Sequence, residues 1–384
     1  MTCPVCGSNS PSEFLFRERV PVLQNLLMRD QAAAMDIPRG DLALAACHDC
    51  GFIFNRAFDP RKVMYGEDYE NTQAGSPSFN EYLDGLVSRM IVEQNVRGCQ
   101  VVEVGCGNGL FLRKLVAYDG AGNRGYGFDP SYRGAESELD GRLKFSARYY
   151  DSECADVPAD VIVCRHVIEH VPHPLRMLDD IKKALARAPK ARIFFETPCV
   201  EWILANLVVW DFFYEHCSYF SAASLSTAFQ AAGFEVQSVQ HIFEGQYLWL
   251  EATLPKTRPR TDKRPGTVVA QAQRFARLEA KLKEDWKRKI RAAEEKVALW
   301  GAGAKGVTFA NLIDASRQLI DCVVDLNPLK QGNYLPGTGH PIVSYQALTT
   351  RGVSTAILMN ENYREENLAL LRAAKANVRL IHQL

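Results

Sequence analysis

The sequence has no long uninterrupted apolar run and no excess of charge of either sign. Its longest apolar stretch, WILANLVVWDFFY (202–214), is too short and too interrupted to span a bilayer. The 45 basic side chains balance 45 acidic ones, which argues against a nucleic acid or an anionic membrane as partner. The amino terminus, MTCPVCGSNS, lacks the basic-then-apolar pattern of a secretory signal. We therefore expect a soluble cytoplasmic protein, with two or three domains in its 384 residues.

Cysteine is abundant, with 11 residues, but a long chain without a secretion pattern favours reduced thiols or metal ligands over disulfides. Four of the cysteines form two CxxC pairs, CPVC (Cys3, Cys6) and CHDC (Cys47, Cys50). Each pair brings two thiolates together, and two pairs complete a tetrahedral Zn²⁺ site with no open catalytic position. We predict a structural zinc module over residues 1–75, with four unrelated buried cysteines as the alternative.

A glycine-rich turn follows a short apolar strand in CQVVEVGCGNGLFLRKLV (99–116). Gly105 and Gly107 let the backbone approach a ligand where the next helix starts. The following strand, in GYGFDPS, ends at Asp129, an acid placed to hold ribose hydroxyls. Nicotinamide-dependent enzymes also have a glycine turn after one strand and an acid at the end of the next. The full pattern here, which includes Glu103 in the first strand, resembles the class I S-adenosylmethionine methyltransferases. The resemblance implies that Glu103, Gly105 and Gly107 line the methionine side of S-adenosylmethionine and that Asp129 binds its ribose.

Further strands are predicted at 161–164 and in ARIFFETP, GFEVQSV and QYLWLEATL, which would complete a methyltransferase core over residues 76–253. In open α/β sheets, the chemistry lies beyond the carboxyl ends of the strands. His166, Glu169 and His170 follow the strand at 161–164. We predict that His166 contacts the cofactor and that His170 is catalytic, with packing at a helix start as the alternative.

The stretch YEHCSYFS (214–221) places Glu215 and His216 in aromatic surroundings, which charged groups avoid unless they are paired or functional. With the zinc module, the methyltransferase core and an α/β carboxyl-terminal domain, it resembles the sugar C-methyltransferases, which modify nucleotide-linked 4-keto-deoxysugars. The resemblance implies that His216 removes a proton next to the ketone, with Glu215 beside it. The resulting enolate would then attack the sulfonium methyl group. A satisfied buried Glu–His pair is the alternative.

Two tyrosines that are typical of the sugar C-methyltransferases do not have clear counterparts in this sequence. The family has a tyrosine two residues before the glutamate, where this chain has Phe213, and Tyr214 is adjacent to the glutamate. A second family tyrosine matches Tyr69, which makes Tyr69 a predicted catalytic residue, with Tyr65 as its rival. These differences bear on the substrate more than on the reaction class.

Residues 254–296 are predicted to form a proline-rich basic linker followed by an amphipathic helix that packs between domains, with a dimer contact as the alternative. A second Rossmann-like α/β unit is predicted over residues 297–384. Its glycine turn has the complete GxGxxG spacing, and Asp325 lies nineteen residues beyond the last glycine. The glycines of this turn are Gly301, Gly303 and Gly306. This fingerprint supports an alternative function, in which the protein is a bifunctional enzyme that binds NAD. The resemblance to the sugar C-methyltransferases implies instead that this domain closes over the sugar nucleotide. Lys305 and Lys330 would then contact its phosphates.

The whole chain therefore reads as an α/β protein with a class I methyltransferase core, a zinc module and a second Rossmann-like domain. S-adenosylmethionine and Zn²⁺ are the expected cofactors, and a nucleotide sugar or another small molecule is the expected partner. C-methylation is the leading function because Glu215 and His216 suit the removal of a proton from carbon. Methylation of an oxygen or nitrogen atom needs less of this activation. O- or N-methylation of another small molecule, and a zinc-bearing scaffold with an inactive core, remain alternatives.

Overall fold

The computed structural model describes residues 1–66, 68–73, 75–255, 257 and 260–382. Three linker residues, Lys256, Arg258 and Pro259, lie outside this described part. The described residues form three sheets, of four, eight and five strands. Within the described ranges, no helix is both long enough and apolar enough to cross a membrane.

The amino-terminal sheet is antiparallel and takes its last strand from the middle of the chain. Its strands are β1 (Pro11–Pro21), β2 (Arg39–Cys47), β3 (Ile53–Asn55) and β10 (Ser218–Tyr219), in that order, with helix α1 (Gln31–Met35) between β1 and β2. Ser218 pairs with Phe54, and Tyr219 pairs with Ile53. The segment after His216 is therefore fixed to the sheet whose strands β2 and β3 flank the second cysteine pair.

The central sheet has the strand order of the class I methyltransferases. Its order is β11-β12-β9-β8-β4-β5-β7-β6, with β4, β5, β7, β8 and β9 parallel and the β11–β12 hairpin antiparallel. The strands are β4 (Gln100–Val104), β5 (Arg124–Phe128), β6 (Ser137–Glu138), β7 (Leu143–Ser146), β8 (Val161–Arg165), β9 (Arg192–Pro198), β11 (Glu235–Ile242) and β12 (Tyr247–Thr253). The helices are α2 (Pro77–Val92), α3 (Leu110–Ala117), α4 (Pro174–Ala184), α5 (Val200–Ala205) and α6 (Ala222–Ala232). The predicted strands are confirmed.

The two central strands, β4 and β8, are mainly apolar because both faces of the sheet are covered. Val101, Val102, Ile162 and Val163 on β4 and β8 are fully buried. Parallel strands place their carboxyl ends at one edge, so the turns after β4, β5 and β8 meet there. This edge is where the predicted cofactor and catalytic residues lie.

The carboxyl-terminal sheet is entirely parallel, in the order β15-β14-β13-β16-β17. Its strands are β13 (Lys296–Trp300), β14 (Cys322–Val324), β15 (Ile342–Val343), β16 (Val353–Leu358) and β17 (Arg379–Ile381). Helices α8 (Ala304–Ile313), α9 (Leu348–Arg351) and α10 (Arg364–Ala373) connect them. The predicted second Rossmann-like unit is confirmed.

Helix α7 (Val268–Arg291) joins the three parts of the molecule. It contacts α5, α8 and the strands β1 and β2, and its stripe residues Phe275, Trp286 and Ile290 are buried. The buried guanidinium of Arg17 on β1 donates to Glu279 at 2.7 Å. The predicted packing of this helix between domains is confirmed.

Candidate active site

The two CxxC pairs converge on one point. The Sγ atoms of Cys3 and Cys50 lie 3.7 Å apart, those of Cys6 and Cys47 lie 3.6 Å apart, and all four lie within 4.8 Å of one another. A tetrahedral zinc ion with Zn–S bonds of about 2.3 Å requires sulfur atoms about 3.8 Å apart. Cys3, Cys47 and Cys50 are buried, and none of the four is in a disulfide. The thiol geometry therefore fits a four-coordinate metal ion.

The predicted cofactor turn lies between β4 and α3. Gly105 has a φ of +72°, and a Cβ atom there would lie 2.2 Å from Cγ2 of Val167, so the close approach of the loop after β8 requires glycine. A Cβ on Gly107 would meet nothing within 4 Å, so the turn opens onto free space. Asp129 at the end of β5 accepts the Gly107 N–H at 2.9 Å. The structure thus brings Gly105, Gly107 and Asp129 together at the edge of the sheet.

Glu103 lies beneath this turn and carries a carboxylate oxygen without a partner. The side chain is buried, and its Oε2 has no hydrogen-bond partner among the residues described. Burial raises the pKa of Glu103 to about 8, against the nearby charge of Arg165. An unpaired buried carboxylate is costly, so the site suits a ligand that brings an ammonium group. These residues fit the methionine end of S-adenosylmethionine.

A cavity of about 360 Å³ is lined by residues from all three parts of the chain, including those that directly follow β8. Its size is typical of a small-molecule site. The residues from the predicted site that line it are Tyr69, His166, His170, Glu215 and His216.

The aromatic stretch that carries His216 is held rigidly. The hydroxyl of Tyr219 accepts from the Phe213 N–H at 3.1 Å and donates to the Phe213 carbonyl at 3.0 Å. Ser218 donates to the carbonyl of Val171 at 2.7 Å, which ties the stretch to the loop after β8. The ring of Phe213 packs against that of His216 with centroids 4.2 Å apart. These hydrogen bonds and the ring contact with Phe213 together fix the position of the His216 imidazole.

Glu215 does not bond to His216 but to the amino-terminal part of the chain. Its Oε2 accepts from the hydroxyl of Tyr69 at 2.7 Å, and its Oε1 accepts from the Gln24 N–H at 2.6 Å. Burial raises the pKa of Glu215 and also that of Tyr69. The rival tyrosine, Tyr65, lies instead with its hydroxyl 3.1 Å from Nδ1 of His170. Each tyrosine therefore has its own partner in the cavity wall.

His216 lies beside His170 and Glu169. The two rings are 4.7 Å apart and nearly perpendicular, and ligand atoms of all three side chains lie within 4.8 Å of one another. Neither ring nitrogen of His216 has a hydrogen-bond partner in the described part of the chain. Burial, with the nearby charges of His170, His166 and Lys305, lowers the pKa of His216 well below its usual value. The imidazole is therefore neutral, with a lone pair available in the cavity.

His166 is held between two carboxylates. Its Nε2 lies 2.9 Å from Glu196 and its Nδ1 lies 3.3 Å from Glu169, with the backbone in the left-handed region at a φ of 54°. Although burial opposes the charge, Glu196 and Glu169 raise the pKa of His166 to about 9. Because both nitrogens face carboxylates, His166 presents a charged ring to the cavity rather than a free donor.

The glycine turn of the carboxyl-terminal domain faces the same cavity. A Cβ on Gly306 would lie 1.9 Å from the carbonyl oxygen of Gly301, so this turn requires glycine. Asp325 accepts the Ala302 N–H at 2.8 Å, as Asp129 does for Gly107 in the central sheet. The two glycine turns therefore have the same construction.

Two lysines of this domain also line the cavity. Lys305 forms an ion pair with Asp211 at 2.9 Å. Lys330 is buried and donates to Asn25 at 3.2 Å and to the Ala302 carbonyl at 3.3 Å, and burial lowers its pKa. Both amines lie near the start of α8, where free backbone amides favour an anion.

Sequence reasoning did not assign a role to Glu169, although it noted the residue. Gln246 and Asn327, which also line the cavity, were not singled out at all. The position of Glu169 directly after β8 indicates that it lies at the edge of the sheet where the site forms. The positions of Gln246 and Asn327 depend on how the domains meet, which local patterns do not encode.

Comparisons with known proteins agree with this architecture. Residues 78–239 match a family model described as a methyltransferase domain, and residues 267–384 match one described as a C-methyltransferase C-terminal domain. The C-methyltransferase NovU of Streptomyces niveus is 26% identical over 387 aligned positions, which cover 95% of this chain and 90% of NovU. A tRNA U34 carboxymethyltransferase of Campylobacter jejuni is 32% identical over 108 residues, which cover 26% of this chain and 36% of that enzyme.

Among solved structures, magnesium protoporphyrin IX methyltransferase from Synechocystis shows a partial likeness. It is 18% identical with a TM-score of 0.35, and the match covers 50% of this chain and 91% of that chain.

The strand order, the glycine turn and the matched family models define an S-adenosylmethionine-dependent methyltransferase with a class I fold. More narrowly, the match of residues 267–384 and the likeness to NovU support a C-methyltransferase family.

Proposed function

We propose that this enzyme methylates a carbon atom next to the ketone of a nucleotide-linked 4-keto-deoxysugar. One observation carries the proposal: a neutral imidazole, His216, lines a cavity that is also lined by His166 and His170, which follow β8, and by the glycine turn of the carboxyl-terminal domain. A carbon acid needs a base at the reacting centre, whereas a heteroatom nucleophile needs far less activation. The likeness to NovU, a C-methyltransferase, supports the same reaction class.

In the proposed reaction, His216 takes a proton from the carbon next to the ketone. The electron pair of that C–H bond forms an enolate, whose carbon attacks the methyl group of S-adenosylmethionine. The carbon–sulfur bond breaks, its electron pair remains on sulfur, and S-adenosylhomocysteine leaves. The charged ring of His166 would place positive charge near the enolate.

Glu103, Gly105, Gly107 and Asp129 would hold the cofactor in this reaction. The unpaired carboxylate of Glu103 would accept the ammonium group, and Asp129 would exchange its bond to the turn for bonds to the ribose hydroxyls. His166 would border the cofactor at the end of β8. Tyr69, Glu215 and His170 would form the wall that orients the sugar.

The carboxyl-terminal domain would bind the nucleotide diphosphate rather than NAD. Its glycine turn, Lys305 and Lys330 all border the cavity that holds the base, so a single elongated ligand can reach both ends. A phosphate group near the start of α8 would also stabilise the charged form of the Lys330 amine, which burial disfavours.

We further propose that the four cysteines hold one structural Zn²⁺ ion, because their spacing matches a tetrahedral site and leaves no position open for substrate.

The proposed function is tested with purified enzyme, methyl-labelled S-adenosylmethionine and a panel of nucleotide-linked sugars with and without a 4-keto group. We expect a product with one added methyl group only from ketosugars, and nuclear magnetic resonance should show the methyl group bonded to carbon. Methyl transfer to an oxygen or nitrogen of a compound lacking the ketone would favour the heteroatom alternative.

A further inference from the structure

Two segments of the chain bring three metal-ligand side chains together inside the cavity. Glu169 and His170 lie on the single turn Ile168–His170 after β8, and His216 lies on the aromatic stretch. The thiol of Cys217 contacts the carbonyl of Glu169 at 3.7 Å, which joins the two segments next to the cluster. One ligand atom from each side chain lies within 4.8 Å of the others.

The carboxylate of this cluster is buried and has one hydrogen bond and one ion pair. Glu169 is 1% exposed, and its Oε2 accepts from the hydroxyl of Thr197 at 3.0 Å. Its Oε1 is buried and has no hydrogen bond in the ranges described, although Nδ1 of His166 lies 3.3 Å away without hydrogen-bond geometry. A divalent metal ion would therefore compete with the charged ring of His166 for this oxygen.

The two imidazoles are arranged as metal ligands usually are. Nδ1 of His170 is engaged by the hydroxyl of Tyr65, which leaves its Nε2 for a metal ion. Such an outer hydrogen bond normally fixes the orientation of a ligating histidine, and the bond from Thr197 does the same for Glu169. His216 has no competing hydrogen bond within the part of the chain that is described.

We infer that Glu169, His170 and His216 bind a divalent transition-metal ion at a second site, distinct from the cysteine cluster. Two imidazoles and one carboxylate, with the remaining positions open to the cavity, suit Co²⁺, Ni²⁺, Fe²⁺ or Zn²⁺. The bound ion takes the lone pair of His216 that proton abstraction needs, so its binding inhibits methyl transfer. This inhibition rests on the proposed function, whereas the binding does not.

His166 is the internal competitor for this ion. Its positive ring lies beside the same oxygen of Glu169 and beside Glu196, so it disfavours a second cation nearby. Removing the His166 ring should therefore strengthen metal binding. If the cluster had only a structural role, this change would not be expected. Lys305 adds less repulsion because Asp211 neutralises it.

Co²⁺ is the probe for binding. Enzyme whose cysteine site is filled with zinc, as measured by elemental analysis before and after, is titrated with Co²⁺ and followed by its visible absorption. We expect one Co²⁺ per chain without loss of zinc, and a loss of this binding in His216→Asn and Glu169→Gln. Tyr65→Phe should weaken it by about tenfold, as the loss of an outer hydrogen bond does. His166→Gln should strengthen it.

His173→Asn is the matched control, because this histidine is exposed and lies outside the cluster. It should bind Co²⁺ like the wild type. Circular dichroism separates unfolding from ligand loss, and Tyr65→Phe provides a milder change if Glu169→Gln does not fold. Absence of a second Co²⁺ site, or binding that survives His216→Asn, overturns the inference even if no ketosugar is methylated.

Activity tests the inhibitory part. Co²⁺ should lower methyl transfer by the wild type, leave binding of S-adenosylmethionine unchanged, and be reversed by a chelator. Stimulation by Co²⁺ would contradict the inhibitory role.

Discussion

The hydroxyl of Tyr69 donates a 2.7 Å hydrogen bond to Oε2 of Glu215. This bond joins the segment after the cysteine module to the aromatic stretch that carries the candidate base. The carboxylate of Glu215 thus bonds to Tyr69 rather than to the imidazole of His216, which lies within 4.8 Å of the Glu169 carboxylate. Under the proposed function, Glu215 would therefore position the aromatic stretch and the sugar rather than share the proton.

Tyr69→Phe should lower methyl transfer by roughly tenfold, the worth of one hydrogen bond to a charged group. Glu215→Gln should have an effect of the same order, and the double variant should be less impaired than the product of the two single effects, because both remove one interaction. Rate measurements on the four enzymes check this. Fully independent effects would show that the two side chains do not act as a pair.

Asp129→Ala should weaken binding of S-adenosylmethionine by roughly 10- to 100-fold, because the ribose loses a charged acceptor. Asp325→Ala is the matched control, since Asp325 makes the equivalent bond to the other glycine turn. Calorimetry should show unchanged cofactor affinity for this control. Tight binding of NAD that Asp325→Ala abolishes would support the bifunctional alternative instead.

Binding of S-adenosylmethionine should depend on pH through Glu103. The folded pKa of Glu103 is raised to about 8, so the free enzyme holds this carboxyl protonated at neutral pH, and the ammonium group of the cofactor favours its ionised form. Affinity should therefore increase as pH rises towards 8, by up to about tenfold per pH unit. In Glu103→Gln this dependence should disappear, leaving only the titration of the cofactor's own amine. Parallel pH profiles for the two proteins would rule out Glu103 as the ammonium partner.

Cys47→Ala should abolish the binding of one Zn²⁺ per chain and unfold the amino-terminal module, because the metal supplies much of its folding free energy. Cys322→Ala removes an equally buried thiol outside the cluster and should retain the metal. Elemental analysis and thermal unfolding check both variants. Wild-type protein that contains no zinc after metal-preserving purification would refute the assignment.

Much of the fold could be predicted because it depends on local patterns. The turn at Gly105 and Gly107, the acid at Asp129 and the second glycine turn each follow a strand, and this arrangement fixes their place at the edge of a sheet. The meeting of the cysteine pairs followed from the way each CxxC pair bends the chain. These features need no knowledge of how the domains pack.

The composition of the cavity could not be predicted in the same way. Glu169 approaches His216 only because the Ile168–His170 turn packs against the aromatic stretch, and Lys330 reaches the cavity only because the carboxyl-terminal domain closes on it. Adjacency in the chain also suggested that Glu215 would support His216, whereas its bonds run to Tyr69 and Gln24. Contacts between distant segments determine such partners.

Methyl transfer by His216→Asn to a nucleotide-linked 4-ketosugar that the wild type methylates tests the central claim most directly. Asparagine keeps much of the bulk but removes the proton acceptor, so the rate should fall by about 10²–10⁴-fold while S-adenosylmethionine still binds. Exchange of the substrate's α-hydrogen in D₂O with S-adenosylhomocysteine, where the wild type shows it, should be lost as well. Near-normal turnover by His216→Asn on that ketosugar would contradict the account and make His170 the next candidate base.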